Sequence, residues 1–202
     1  AEKKEAASKK NTFEEIMTNI NSSDVIFVAD AFSEDYVGGA ELTTEAIIKK
    51  SEYNICKIRS NQLIPQMIQA GLKKHWVFFN YSNLNHNLIP TIIANLYYSI
   101  VEYDYKFCKY RSVEKHKEIE NVSCDCHNEN QGKIVSAFMF GAENLFWMSK
   151  QQMQIYFEIF PFLEKRKNYV LSSILCDKTL KNLKNLREKY KDNKNEKWIV
   201  IG

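Results

Sequence analysis

A pair of glycines, Gly38 and Gly39, marks a place where the backbone could approach an anion. They end a loop that follows the compact apolar segment 24–30, and Ala40-Glu41 then opens a segment of helical composition. Glycine has no side chain to hold a ligand away from the backbone, and the first N–H groups of a helix are free to donate to a negative charge. The order predicts a site for an anion such as a diphosphate. A tight turn without a ligand is the alternative.

Three cysteines and two histidines are concentrated in segment 106–131, which has neither helical nor strand periodicity. They are Cys108, His116, Cys124, Cys126 and His127. Thiolate and imidazole are the ligands that zinc prefers, but Cys-x-Cys-His lacks the separation of about two to four residues that is typical of zinc knuckles. The lysines and glutamates around them indicate an exposed excursion beyond the sheet. We therefore expect unligated thiols and no bound metal here, with a metal site as the alternative.

A further candidate is His86, which lies in the polar segment 80–87 directly after a predicted strand. In an open α/β sheet, ligands bind beyond the carboxyl ends of the strands, so His86 stands on the side where a substrate would lie. A histidine that is simply solvated in a polar loop is the alternative interpretation.

The elements that position these residues alternate along the chain. Short apolar runs predict strands at 24–30, 53–58, 75–80, 97–103, 144–148, 168–174 and 198–202. Segments with helical periodicity or composition predict helices at 13–20, 40–50, 63–71, 88–96, 133–140, 150–159 and 180–190. Such alternation implies right-handed βαβ units. The predicted class is α/β, a Rossmann-like parallel sheet with helices on both faces.

Composition excludes several classes of protein. The chain has 202 residues, of which 45% are hydrophobic, so it can bury a large core and is not disordered as a whole. A net charge of +3 is too small for a protein that binds nucleic acid by neutralising phosphates, so no nucleic-acid partner is expected. An odd count of five cysteines favours a reducing compartment, and we expect a cytoplasmic protein.

The order of these segments resembles the N-terminal domain of the GT-B glycosyltransferases, particularly the retaining family-4 type. The resemblance is carried by Gly38-Gly39-Ala40-Glu41 after strand 25–29, by strand 144–148 leading through Ser149 into a helix, by Tyr169-Val170-Leu171-Ser172-Ser173, and by the apolar end 198–202. It implies that Gly38 and Gly39 contact the phosphates of a nucleotide-sugar donor. It also suggests that Glu41 and His86 bind the acceptor.

The segment Glu102-Tyr103-Asp104-Tyr105 resembles the His-Asp-Tyr segment of that family, in which the histidine meets the transferred sugar. Tyr103 occupies the place of the histidine, and the resemblance makes Tyr103 and Asp104 the candidate catalytic residues. A phenol can donate a hydrogen bond, but it does not titrate near neutral pH.

The resemblance also implies a domain organisation. Residues 1–12 form a charged tail, residues 13–177 form the acceptor-side Rossmann-like domain, and residues 178–202 supply a helix and the first strand towards a C-terminal donor domain. The partners would be a nucleotide-sugar and a glycan, lipid or protein acceptor, without a cofactor. The lysines of 178–197 could contact an anionic membrane surface peripherally. By itself, this chain would be inactive. The alternative is a non-catalytic Rossmann-like binding or metal-bearing module.

Overall fold

The computed structural model describes residues 12–191, and these form a six-stranded, all-parallel sheet flanked by helices. The strands are β1 (Val25–Ala29), β2 (Ile55–Arg59), β3 (His75–Phe78), β4 (Tyr97–Glu102), β5 (Asn144–Trp147) and β6 (Lys167–Val170). The helices are α1 (Phe13–Ser22), α2 (Gly39–Lys50), α3 (Pro65–Ala70), α4 (Ile89–Asn95), α5 (Val113–Glu120), α6 (Asn130–Gly141), α7 (Lys150–Ile159) and α8 (Asp177–Lys189). The predicted α/β, Rossmann-like class is confirmed.

The strand order is β2-β1-β3-β4-β5-β6, and every neighbouring pair is parallel. From β1 the chain moves outward to β2 on one side, whereas from β3 it moves through β4 and β5 to β6 on the other side. The loops that leave the carboxyl ends of β1 and β3 therefore diverge. Such a switch point opens a crevice at the carboxyl edge of the sheet, where ligands of this architecture bind.

The two faces of the sheet are covered unequally. One face packs on α1, α3, α4, α6 and α7 and forms the larger core, in which Trp76, Phe78, Tyr98 and Trp147 are completely buried. The opposite face carries a smaller cluster around Phe27, which includes Ile47 and Ile48 from α2. Strand β1 has apolar side chains on both faces because helices lie against both, as is usual for parallel strands. On the α2 side, Val77 of β3 and Phe146 of β5 are only half-buried.

Helix α5 was not predicted. Only Val113 and Ile119 are apolar in this helix, so no apolar stripe indicates it. Its termini are nevertheless well specified, because the Ser112 side chain accepts a hydrogen bond from the Lys115 N–H and the helix ends at Asn121 in the left-handed conformation. Local capping, rather than an apolar face, delimits this helix.

The sixth strand is shorter than predicted. It ends at Val170, because the N–H groups of Leu171 and Ser172 both donate to the Trp147 carbonyl and Ser172 has a φ of 63°. The chain therefore curls around the end of β5 instead of continuing the ladder. The predicted strand 198–202 and the tail 1–11 lie outside the described residues. None of the helices within 12–191 has the length and the apolar content needed to cross a bilayer.

Candidate functional site

Asp30 joins three loops at the carboxyl edge. It follows β1 directly, and its carboxylate accepts hydrogen bonds from the Ser60 hydroxyl after β2 and from the Ser82 and Asn83 N–H groups after β3, the last two at 2.9 Å. One carboxylate thus holds the walls of the crevice on both sides of the switch point. Sequence reasoning missed this residue, although its position at the end of β1 marks it.

Replacing Asp30 by asparagine is expected to lower the free energy of unfolding by about 2 kcal/mol, because hydrogen bonds to a charged acceptor are the stronger ones and an amide cannot accept all three. Urea denaturation measures the change. Asp24→Asn is the matched control, since Asp24 flanks the other end of β1 and its side chain accepts a single exposed bond from the Asn54 N–H. Equal losses in the two variants would contradict the role given to Asp30.

The glycine loop lies open at the same edge. Helix α2 begins at Gly39, and no side chain caps its first turn. A Cβ added at Gly39 would have no heavy atom within 4 Å, so the backbone there faces open space. At Gly38 an added Cβ would lie 2.6 Å from the Glu41 carboxylate and 2.8 Å from the Tyr36 ring. Glu41 itself is buried. The turn can therefore receive an anion over Gly39, and Gly38 permits the loop to close over Glu41.

Tyr103 reaches the same helix from the end of β4. Its hydroxyl lies 2.9 Å from the Thr44 hydroxyl, which in turn donates to the Ala40 carbonyl at 3.0 Å. Because the single O–H of Thr44 is engaged with the Ala40 carbonyl, Tyr103 is the donor in this pair. Burial, and to a smaller extent the nearby Glu41 charge, raises the pKa of Tyr103. Tyr103 is therefore a neutral donor near pH 7.

Asp104 belongs to a second group of charges, around Glu102. The Glu102 carboxylate is completely buried and receives hydrogen bonds from the Lys106 ammonium at 3.2 Å, from the Tyr156 hydroxyl at 3.1 Å and from the Tyr81 hydroxyl at 3.4 Å. Desolvation raises the pKa of Glu102, and the Lys106 charge opposes that rise. Lys106 also contacts Asp104 at 3.1 Å.

Arg111 extends the charged network towards β3. Its Nε donates to the Asp104 carboxylate at 2.7 Å, and its Nη2 donates to the Asn80 side chain at 2.7 Å. The φ of Arg111 is 56°, a left-handed conformation that an arginine adopts at a cost. Asp104, Lys106 and Arg111 thus connect the loops after β3 and β4. Sequence reasoning did not single out the two basic residues, and the signal available was their position just after a strand end.

A cavity of about 390 Å³ lies beside this network. His86 lines it, as predicted for a residue beyond β3, together with Lys106, Lys109, Arg111 and Gln131. Among the described residues that line it, four are basic and none is a carboxylate. Such a cavity suits a polar or anionic group. Glu41, Gly38, Gly39 and Tyr103 do not line it, so the structure divides the predicted site residues between the α2 turn and this cavity.

The cysteine and histidine cluster adjoins the same cavity through Cys108, which is among the residues that line it. One ligand atom from each of Cys108, His116, Cys124 and Cys126 lies within 4.8 Å of every other. His116 Nδ1 is 3.6 Å from Cys108 Sγ and 3.5 Å from Cys126 Sγ. His127, the fifth candidate, is outside this set, and its Nδ1 is buried without a hydrogen-bond partner in the described part of the chain.

The spacing of these four residues in the sequence did not predict that their ligand atoms lie so close together. Knuckle ligands come from one short hairpin, but these come from three different pieces of chain: Cys108 from a turn after β4, His116 from α5, and Cys124 and Cys126 from the segment that leads to α6. The left-handed Asn121 reverses the chain after α5 and returns it towards Cys108. The expectation of an exposed excursion was wrong for Cys108, His116 and Cys126, which are all buried.

Comparison with protein-family models, with curated proteins and with solved structures finds no match.

Proposed function

We propose that this chain is the N-terminal, acceptor-side domain of a GT-B glycosyltransferase, which moves a sugar from a nucleotide-sugar donor to a glycan, lipid or protein acceptor. One observation carries the proposal: the uncapped first turn of α2, with Gly39 open, lies at the carboxyl edge of a parallel sheet and is hydrogen-bonded through Thr44 to Tyr103. A turn whose N–H groups can donate to phosphate and a hydroxyl that could face the sugar are therefore adjacent, as the resemblance in sequence implies.

Each predicted residue near the α2 turn and the end of β4 would have its own role in the transfer. The N–H groups at Gly38 and Gly39 would stabilise the diphosphate that leaves as the sugar is transferred, which is electrostatic stabilisation by preorganised donors. Tyr103, held neutral, would turn its single O–H from the Thr44 hydroxyl to the sugar or to the leaving group when the donor binds. Asp104 is saturated by Lys106 and Arg111, so in this proposal it holds the two cations rather than a substrate proton.

The acceptor would occupy the cavity lined by His86. Lys109 and Arg111 are partly exposed, although Lys109 also pairs with Glu120 and Arg111 with Asp104, and they would favour an acceptor that carries a carboxylate or phosphate. Gln131, whose Nε2 also donates to the Lys106 carbonyl, would offer its amide to a sugar hydroxyl. Glu41 lies at the α2 turn, so any contact it makes would be with a group near the donor phosphates. This placement differs from the acceptor role that the resemblance suggests for Glu41.

The remaining partners belong to the same proposal. The donor domain of such an enzyme would follow this domain, and the enzyme would work in the cytoplasm. Helix α8 exposes about half of each of Leu180, Leu183 and Leu186 among its lysines. A basic amphipathic helix of this kind fits a membrane surface or a neighbouring domain.

Substituting Gly39 by valine in the complete transferase tests the proposal. The expected result is loss of at least about 100-fold in turnover of nucleotide-sugar, because a β-branched side chain would stand where the phosphates must approach. Release of nucleoside diphosphate across a panel of nucleotide-sugars measures it. The fold should persist, since no atom lies near the new Cβ.

The control for this test is Lys49→Val, which puts the same side chain at the exposed opposite end of α2. It should retain nearly full turnover. Equal turnover in the two variants would remove the phosphate-binding role of the glycine loop. Absence of turnover and of nucleotide-sugar binding in the unsubstituted protein would reject the transferase assignment itself.

A further inference from the structure

We propose that Cys108, His116, Cys124 and Cys126 bind one zinc ion in a closed, four-coordinate site. The inference is independent of the transferase proposal, because it depends only on the four side chains and the segments that carry them. It reverses the expectation from sequence spacing, which favoured unligated thiols.

The distances between the ligand atoms fit a single tetrahedral ion. With Zn–S bonds of about 2.3 Å and a Zn–N bond of about 2.0–2.1 Å, tetrahedral angles place each sulfur about 3.6 Å from the nitrogen. The observed distances from His116 Nδ1 are 3.6 Å to Cys108 Sγ and 3.5 Å to Cys126 Sγ. Every pair of ligand atoms in the set is within 4.8 Å, so Cys124 needs only a small movement to complete the tetrahedron.

The ligand chemistry selects zinc among the common metals. Three thiolates and one imidazole form a soft, tetrahedral set that suits zinc and does not suit magnesium or calcium, which take oxygen ligands. A two-iron cluster would separate its two pairs of ligands by more than a single ion does, whereas here all four atoms surround one point. Three thiolates and Zn²⁺ leave a net charge of −1, and the cation of Lys109 follows Cys108 directly in the chain.

Helix α5 buries little apolar surface that could hold it against the rest of the domain. Its one buried side chain is His116, and the apolar residues Ile119 and Val122 near its end are about half exposed. A helix of eight residues without an apolar face has little tendency to dock by burial of apolar surface. A zinc ion would anchor it, because the metal would cross-link α5 to the Cys108 turn and to the segment that carries Cys124 and Cys126.

The ion would act as a structural element of the cavity wall. All four coordination positions are filled by the protein, which leaves no open position for a substrate or a catalytic water. In the sequence, Cys108 follows Lys106 and precedes Lys109 and Arg111, and all four residues line the cavity. Fixing its sulfur would therefore hold the basic wall in place.

Metal analysis of the whole chain tests the inference. Protein expressed in zinc-supplemented medium and purified without chelator should carry about one equivalent of zinc, measured by inductively coupled plasma mass spectrometry. X-ray absorption should show three sulfurs and one nitrogen around it. Removal of the ion with a chelator should lower the melting temperature, and added zinc chloride should restore it.

Variants separate the site from the rest of the chain. Cys124→Ser alters the most accessible ligand, so we expect a folded protein that binds zinc at least about tenfold more weakly in competition with a chromophoric chelator. Cys126→Ser and His116→Phe should lose the ion. The control is Cys56→Ala, which removes a thiol buried in the core on β2 and should retain one equivalent of zinc.

Several outcomes would overturn the inference. They are four reduced thiols without metal in the unsubstituted protein, a disulfide within the set, iron with inorganic sulfide, and zinc retained at full affinity by both Cys126→Ser and His116→Phe. None of these results would bear on nucleotide-sugar turnover, so failure here is distinguishable from failure of the proposed function.

Discussion

Replacing Lys106 by methionine is expected to lower the free energy of unfolding by about 3–5 kcal/mol. The substitution keeps the length of the side chain but leaves the completely buried Glu102 carboxylate without its cation, and removal of one partner of a buried ion pair costs about this much. The ammonium also lies 5.0 Å from the centre of the Tyr81 ring, a contact that is lost as well. Urea denaturation at pH 7 measures the effect.

The pH dependence of the variant identifies the cause. Burial already raises the pKa of Glu102 above its ordinary value of 4.5, and loss of Lys106 removes the interaction that lowers it. A carboxyl whose pKa is raised in the folded state holds its proton longer than in the unfolded state, so stability falls as the pH rises above about 4.5. The deficit of Lys106→Met should therefore shrink as the pH is lowered towards that value.

The double variant Glu102→Gln with Lys106→Met is the control for charge. It has neither charge, so it should be more stable than Lys106→Met alone. A deficit that does not change with pH, together with additive losses in the double variant, would show that lost packing rather than an unpaired charge is responsible.

Replacing Gly132 by alanine is expected to destabilise the protein by about 3 kcal/mol. Gly132 lies in the first turn of α6, where an added Cβ would overlap the Cys126 carbonyl oxygen and would lie 2.5 Å from the His127 Cα. Both are backbone atoms, so no side chain can rotate away and the segment 126–127 must shift. The loss should exceed the gain of about 1 kcal/mol that alanine brings to a helix.

The matched control is Gly39→Ala, in the first turn of α2, where the new Cβ meets nothing within 4 Å. That substitution should leave stability unchanged or raise it by up to about 1 kcal/mol. Thermal and urea denaturation of the two variants supply the comparison. Similar stabilities would mean that α6 does not hold the 126–127 segment as closely as the structure shows.

Much of the fold was predictable because it depends on local composition. The segments around β1, β3 and β4 are short apolar runs, and the helices between them show helical periodicity or composition, so the α/β class and most boundaries follow from local pattern. The glycine pair at the start of α2 and the place of His86 beyond β3 also follow, since both are defined by the strand that precedes them. A parallel strand that is buried on both faces appears in the sequence as a short continuous apolar run, so the local sequence is enough to predict it.

The strand order could not be read from the chain, because a crossover helix of the same length can lead to either neighbour of a strand. The burial of the Glu102–Lys106 ion pair could not be predicted either. A glutamate at a strand end followed by a lysine is typical of exposed chain, whereas in the fold Tyr81 and Tyr156 pack over the pair and exclude water.

The four-residue cluster depends on tertiary structure most of all. Cys108, His116, Cys124 and Cys126 converge because Arg111 and Asn121 turn the backbone through left-handed conformations and because Gly132 lets α6 approach the chain at Cys126. None of these three effects changes the apolar periodicity of segment 106–131. A pattern of residue types records which side chains are present, whereas the backbone turns and helix packing decide which of their atoms meet.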